Sequence, residues 1–335
     1  MTNKILVIRL SSIGDIVLTT PVLRGLKNQI GAEVHVVAKK GFAALLESNP
    51  YVDKVLALEE DLHVLIAELK RENYDQVIDL HHNLRSQRIK LALGVPSSSF
   101  SKLNIEKWLL VNLKINRLPE LHIVDRYMAA VLALGVKNDG QGLDFFIPAE
   151  KKVDVEAEFG CKPGAYATIV IGAAHQTKCL TATQVARLCD ELDMPVILVG
   201  GKDEMQKAED IRSSTKNLHV QSGAGRLDIM QSASVIHQSG PIISHDTGMM
   251  HVAAALQKPQ VVVWGNTIPE FGMYPYYGDS KVKWISFEQK ELKCRPCSKL
   301  GYDRCPKGHF KCMLDHDIGE IASKAIRLVD ADFLR

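Results

Sequence analysis

Charge of one sign is what this 335-residue chain has least of: 41 Lys and Arg face 39 Asp and Glu, a formal net charge of +2. A dedicated nucleic-acid binder carries a large basic excess to meet phosphates, so no nucleic-acid partner is expected. No apolar run approaches membrane-spanning length. The opening Met1-Thr2-Asn3-Lys4 runs straight into a strand pattern, without the basic, apolar and small-residue order of a secretory signal, and the expected location is the cytoplasm. No loop has the spaced glycine triplet of a nicotinamide-binding fingerprint or a P-loop. Cysteine is not scarce, at seven, but Cys161, Cys179 and Cys189 are scattered, which is not the layout of a small disulfide scaffold.

What is present is a globular composition, 46% hydrophobic and 24% charged, in a chain long enough for two domains. Both halves alternate strands with helices, which implies parallel sheets. Strands are expected at Lys4–Leu10, Val34–Val37, Lys54–Leu56 and Gln76–Asp79, then at Ala167–Ile171, Pro195–Val199, Pro241–Ile243 and Gln260–Val263. Helices are expected at about Ile16–Gln29 and Leu62–Glu72, then at Ala182–Glu191, Glu204–Arg212 and Leu227–Ile236. Near-continuous apolar strands suit sheets covered on both faces. The expectation is an α/β protein of two doubly wound, Rossmann-like domains, 1–155 and 156–335, facing each other across a cleft. Ligands of such sheets sit beyond the carboxyl ends of the strands, so the loops there are the places to look.

Four loops qualify. Ile242-Ile243-Ser244-His245-Asp246-Thr247-Gly248-Met249-Met250-His251 reads as a buried strand, a polar elbow and a helix start, where free N–H groups and the helix dipole favour an anion such as a diphosphate. The same residues would also serve as a simple cap beside a buried imidazole. Ser11-Ser12-Ile13-Gly14-Asp15 follows the first strand, and a carboxylate positioned there can act as a general base or merely stabilise a helix start. Thr177-Lys178 offers a hydroxyl and an ammonium to an anionic leaving group. Gly200-Gly201-Lys202-Asp203-Glu204 closes a strand on two glycines and supplies a carboxylate for ribose hydroxyls.

Together these motifs resemble the heptosyltransferases of glycosyltransferase family 9, most closely the second-heptose type. The resemblance is carried by Ile5 to Pro21, Ile78-Asp79-Leu80-His81 with Leu84-Arg85-Ser86, Thr177-Lys178, Val199-Gly200-Gly201 with Glu204, and Asp246-Thr247-Gly248 with His251. It implies a GT-B fold, with an acceptor-binding first domain and a second that binds the ADP-sugar. The implied reaction is an inverting, metal-independent transfer of heptose from ADP-heptose to the lipopolysaccharide inner core, with no cofactor required. On that resemblance Asp15 is the base and Lys178 steadies the departing diphosphate. Ser11, Ser12, Thr177, Glu204, Asp246, Thr247, Gly248 and His251 bind the donor. Another nucleotide sugar, another glycan acceptor, or a nucleotide-binding module without catalysis would keep the same fold.

Between His81 and Arg117 seven Lys and Arg face the single acid Glu106. That excess suits an anionic, lipid-linked acceptor met by Arg85 and Arg88. Trp108 with Leu109, Leu110, Val111 and Leu113 suggests an apolar edge for peripheral contact at the inner face of the cytoplasmic membrane, or equally a core-packed helix. Finally, Cys294-Arg295-Pro296-Cys297 is followed by Cys305 and Cys312. This spacing within the loop 294–312 fits a structural zinc site; free thiols, disulfides or an iron–sulfur cluster remain open.

Overall fold

The computed structural model describes residues 3–333. Eleven strands form two sheets. The first sheet contains β1 (Lys4–Ile8), β2 (Glu33–Lys39), β3 (Lys54–Leu58), β4 (Gln76–Asp79) and β5 (Ser97–Ser99), in the order β3-β2-β1-β4-β5. The second contains β6 (Ala167–Val170), β7 (Val196–Val199), β8 (Val220–Ser222), β9 (Ile242–His245), β10 (Gln260–Trp264) and β11 (Trp284–Glu288), in the order β11-β10-β9-β6-β7-β8. Every pairing is parallel. The central strands are buried along their whole length, as near-continuous Val, Ile and Leu runs require in a doubly covered sheet. No described helix is long and apolar enough to cross a membrane.

Eight expected strands are present, and β5, β8 and β11 are additions. The helix expected over Ile16–Gln29 is two helices, Ile13–Val17 and Thr20–Ile30. Pro21 lacks an N–H to continue the first ladder, and the Thr19 and Thr20 hydroxyls donate back to the carbonyls of Ile16 and Val17.

The chain forms two compact units, but not by one division near residue 155. One unit comprises the chain up to Leu103, Leu121–Phe146 and Tyr276–Ser280; the other comprises Asn104–Glu120, Ile147–Pro275 and the chain from Lys281 onward. Local chemistry explains both exchanges. In the first unit, Asp279 N–H donates to Gly140 O at 2.7 Å, His122 stacks on Tyr276 at 4.7 Å, and Gly278, at φ +61°, lies so close that a Cβ would fall 2.0 Å from Gly140 O. In the second, the Lys114 ammonium donates to the carbonyls of Cys294 (3.1 Å) and Pro296 (2.7 Å), while Lys107 sits over the Phe271 ring.

Candidate active site

In the first unit, Ile8 of β1 is in register with Asp79 of β4, so the loops after both strands leave the sheet side by side. Asp15 is the third residue of the helix Ile13–Val17, and Ser12 caps that helix, with Ser12 Oγ donating to Asp15 Oδ2 at 2.9 Å. The opposite carboxylate oxygen receives Arg9 Nη2 at 2.5 Å and the Tyr127 hydroxyl at 3.5 Å. Arg9 is buried. Its remaining donors reach Ser11 O (2.8 Å), Leu80 O and the Tyr127 hydroxyl (2.9 Å). Burial raises the Tyr127 phenol well above its ordinary pKa, which keeps it a proton donor toward Asp15. Asp15 is therefore aimed by a guanidinium just past the end of β1, by the serine that caps its own helix and by a phenol brought in from the helix Ile123–Ala129.

Asp79, fully buried, is an organiser of its loop. It accepts from the N–H groups of His81 and His82 and from Ser86 Oγ, and pairs with Lys90 at 3.0 Å. His81 follows it with its imidazole pushed down to about 4, first by burial and then by the nearby Arg9 and Lys102 cations; its Nδ1 is buried without a hydrogen-bond partner. Arg85 and Arg88 lie exposed on the helix Leu84–Leu93, Arg88 within 3.1 Å of His63 Nε2.

In the second unit three loops converge because β9, β6 and β7 are neighbours in the sheet. The Lys178 ammonium, after β6, pairs with Asp246 Oδ2, after β9, at 2.7 Å. The helix Gly248–Ala255 begins with Thr247 as an extended N-cap residue whose side chain makes no cap hydrogen bond, so the first-turn N–H groups are not consumed by a side-chain cap. His251 is buried one turn on. After β7, Glu204 accepts from Gly201 N–H at 2.8 Å and packs over Gly172, where a Cβ would lie 2.5 Å from its Cδ. Gly172 is thus required by close approach. Ser11 and Ser12, expected on the donor side, belong to the unit with Asp15.

Thr177, also expected to meet the donor, is 2% exposed and its hydroxyl is spent within the protein: its one proton is offered to the acceptors Asn266 Oδ1 and Tyr302 O (both 2.9 Å), and Tyr302 N–H donates to it at 2.8 Å. It clamps the lysine loop to the loop after β10 and to the cysteine-rich segment. Arg295 fastens that segment in turn, donating to the carbonyls of Gly265 and Thr267. A cavity of about 630 Å³ lies against the same loop, lined by Thr177, Cys179, Lys207, Arg304 and Phe310 among others, and it includes neither Lys178 nor Asp246.

Three contributors escape sequence reasoning: Arg9 and Tyr127 around Asp15, and His245. The only signal for Arg9 was a charged residue at the end of a buried strand. His245 is buried at the end of β9, with Nδ1 3.0 Å from Val170 O and Nε2 3.0 Å from Leu180 N. A carbonyl only accepts and an amide N–H only donates, so the ring is neutral with its proton on Nδ1. Burial, with Lys207 nearby, pushes its pKa down to about 3.

The cysteine loop does not present a metal site as placed. Cys294 Sγ is 3.7 Å from His309 Nε2, but among the described residues no three His, Cys, Asp or Glu side chains are grouped to hold a metal ion. Burial pushes the thiols of Cys297 and Cys312 up to about 11 and 12 in the metal-free protein, so a zinc bound there would displace their protons.

The fold has close relatives of known structure. With a TM-score of 0.78, the chain is similar to a glycosyl transferase family 9 protein from Veillonella parvula DSM 2008, at 21% identity over 98% of this chain and 97% of the other. With 0.77 it is similar to Escherichia coli ADP-heptose lps heptosyltransferase II, at 20% identity over 98% and 99%. Two doubly wound sheets of this kind are those of the GT-B fold. Residues 62–302 match the model of glycosyltransferase family 9 (heptosyltransferase), and the chain belongs to that family. Among curated relatives, it is 25% identical to lipopolysaccharide heptosyltransferase 1 of Campylobacter coli over 292 residues, 79% of this chain and 84% of that protein. The matched span excludes Asp15, whose case rests on the geometry above.

Proposed function

We propose that the enzyme transfers heptose from ADP-heptose to the lipopolysaccharide inner core by an inverting, metal-independent displacement, in the manner of the second-heptose type. The observation that carries this reading is the Lys178–Asp246 pair beside a helix start without a side-chain cap. An ADP leaving group without a metal needs cationic and amide donors from the protein, and Lys178, the Thr247 and Gly248 amides and His251 supply them. Asp246 contacts sugar hydroxyls, and Glu204, fixed by Gly201, accepts from the ribose. The acceptor hydroxyl oxygen attacks the anomeric carbon, Asp15 takes its proton, and the sugar–phosphate bond breaks with its electron pair leaving on ADP. Arg9, Tyr127 and Ser12 hold the carboxylate for that step. Ser11 and Ser12 border the acceptor rather than the donor. Arg85 and Arg88 meet an anionic, lipid-linked acceptor at the cytoplasmic face of the membrane.

Zinc at Cys294, Cys297, Cys305 and Cys312 requires these thiols to converge and deprotonate; metal analysis of the reduced protein decides it, and no step above depends on it. The transferase reading is tested by ADP release from ADP-heptose and a deacylated core acceptor, beside Asp15→Ala. Release by the native enzyme and a loss of two or more orders of magnitude in the variant are expected. No release with any of several ADP-sugars would overturn the reaction, and equal release would overturn the role of Asp15.

A further inference from the structure

The helix Asn104–Leu113 and the cysteine-rich segment meet in one unit and share an unusual surface. On the helix Ile105 is 73% exposed, Trp108 56% and Leu113 53%, and Ile115 follows, also exposed. The opposite side faces the protein: Leu110 is buried and the Lys107 ammonium lies 5.9 Å from the Phe271 ring centroid. The end of this helix reaches the cysteine-rich segment directly, through Lys114 and the carbonyls of Cys294 and Pro296. That segment exposes Lys293, Lys299, Arg304, Lys307 and Lys311 against only two exposed acids, Glu291 and Asp303, and adds exposed Leu300 and Tyr302.

We propose that these two elements form a docking face for an anionic phospholipid bilayer, a proposal that rests on the reading of a lipid-linked acceptor. Large apolar side chains left in water beside a basic loop are the chemistry of an interfacial contact: the apolar groups enter the boundary between headgroups and chains, and the cations meet lipid phosphates. A tryptophan sits at that depth because its ring is apolar and its N–H polar. Charge selects the occupant, since an acidic protein partner would account for the lysines but not for Ile105, Trp108 and Leu113. The helix is too short to span, so it lies on the surface. The cysteine-rich segment, which also grips Thr177, then has a second task of presenting cations to the membrane.

The test uses the full chain without donor, with vesicles of phosphatidylcholine alone or mixed with phosphatidylglycerol. Binding to the mixed vesicles, read by sedimentation, and a blue shift of tryptophan emission are expected. Trp108→Phe should remove the shift, because of the other two tryptophans Trp264 is buried and the half-buried Trp284 is held in a stack on Tyr274. Each neutralised cation should weaken binding about fivefold, so Lys299→Gln, Arg304→Gln and Lys307→Gln together should weaken it roughly 100-fold. Equal binding to neutral vesicles, or an unaffected triple variant, overturns the proposal. ADP release on a deacylated acceptor separates it from the enzymatic reading. Retained release in both variants supports bilayer docking, whereas lost release would make the face an acceptor site and overturn it. Vesicle binding by a protein that releases no ADP leaves docking standing and the transferase reading fallen.

Discussion

His245→Leu should destabilise the enzyme at neutral pH and, more tellingly, flatten its response to acid. The imidazole joins Val170 O to Leu180 N–H inside the second sheet, and leucine leaves both groups buried without a partner. At ~1–3 kcal/mol for each of the two orphaned groups, the loss is ~2–6 kcal/mol at pH 7. The native residue carries a second term. Its pKa stands at about 3 in the fold against about 6.5 in an unfolded chain. A depressed pKa means the unfolded chain takes the proton first, so the stability His245 contributes is fully present above pH 6.5 and drains away as pH falls toward 3, at ~1.4 kcal/mol per pH unit. Between pH 7 and 5 the native protein therefore loses ~2 kcal/mol that the leucine variant cannot lose. His35, His81, His237 and His316 are also held below their ordinary values and add to the acid sensitivity of both proteins, which is why the difference between them is the quantity to read. Urea unfolding of the two proteins at pH 7 and pH 5 measures it. The gap between them should narrow by ~2 kcal/mol at the lower pH. A gap that is unchanged or wider would refute the assignment of a neutral ring bonded at both nitrogens.

Thr177→Val keeps the shape of the clamp but removes its hydroxyl, so kcat for ADP release should fall at least about tenfold while Thr177→Ser restores most of it; equal activity of all three would show that the Tyr302 and Asn266 bonds do not position Lys178. Gly172→Ala places a Cβ 2.5 Å from Glu204 Cδ and must push that carboxylate off Gly201. The donor KM should rise roughly tenfold with kcat nearly unchanged, and an unchanged KM would remove Glu204 from the nucleoside. Arg9→Met removes the guanidinium from Asp15, Leu80 and Tyr127, and should cost ~3 kcal/mol of stability in thermal or urea unfolding together with most turnover. A stable, active Arg9→Met enzyme would contradict the described support of Asp15.

The strands most legible in the residues were those with unbroken Val, Ile and Leu, because a strand buried on both faces leaves no room for polar positions. β5 escaped because it reads Ser-Ser-Ser, and only its pairing with Val77, Ile78 and Asp79 makes it a strand. The break between Ile13–Val17 and Thr20–Ile30 turns on two threonine hydroxyls whose bonds exist only once the chain has turned. Asp15, Lys178, Glu204 and Asp246 were legible as polar residues in the loops and helix starts that follow buried strands. Thr177 was equally legible and proved to be a buried brace, since a hydroxyl after a strand looks the same whether it faces ligand or protein.

The order of residues alone therefore determined the strand–helix alternation, the parallel sheets and the set of loops at their carboxyl ends, all of which follow from short-range periodicity. Only the tertiary structure decided which of those loops meet. Lys178 reaches Asp246, with 67 residues between them in the chain, because β6 and β9 are neighbours in the sheet although β7 and β8 lie between them in sequence. Arg9 supports Asp15 together with Tyr127, 118 residues along from Arg9, and the helix Asn104–Leu113 joins a unit whose first strand, β6, begins only at Ala167. Contacts of that range are set by how the sheets are ordered and packed, and no local pattern in the residues records them.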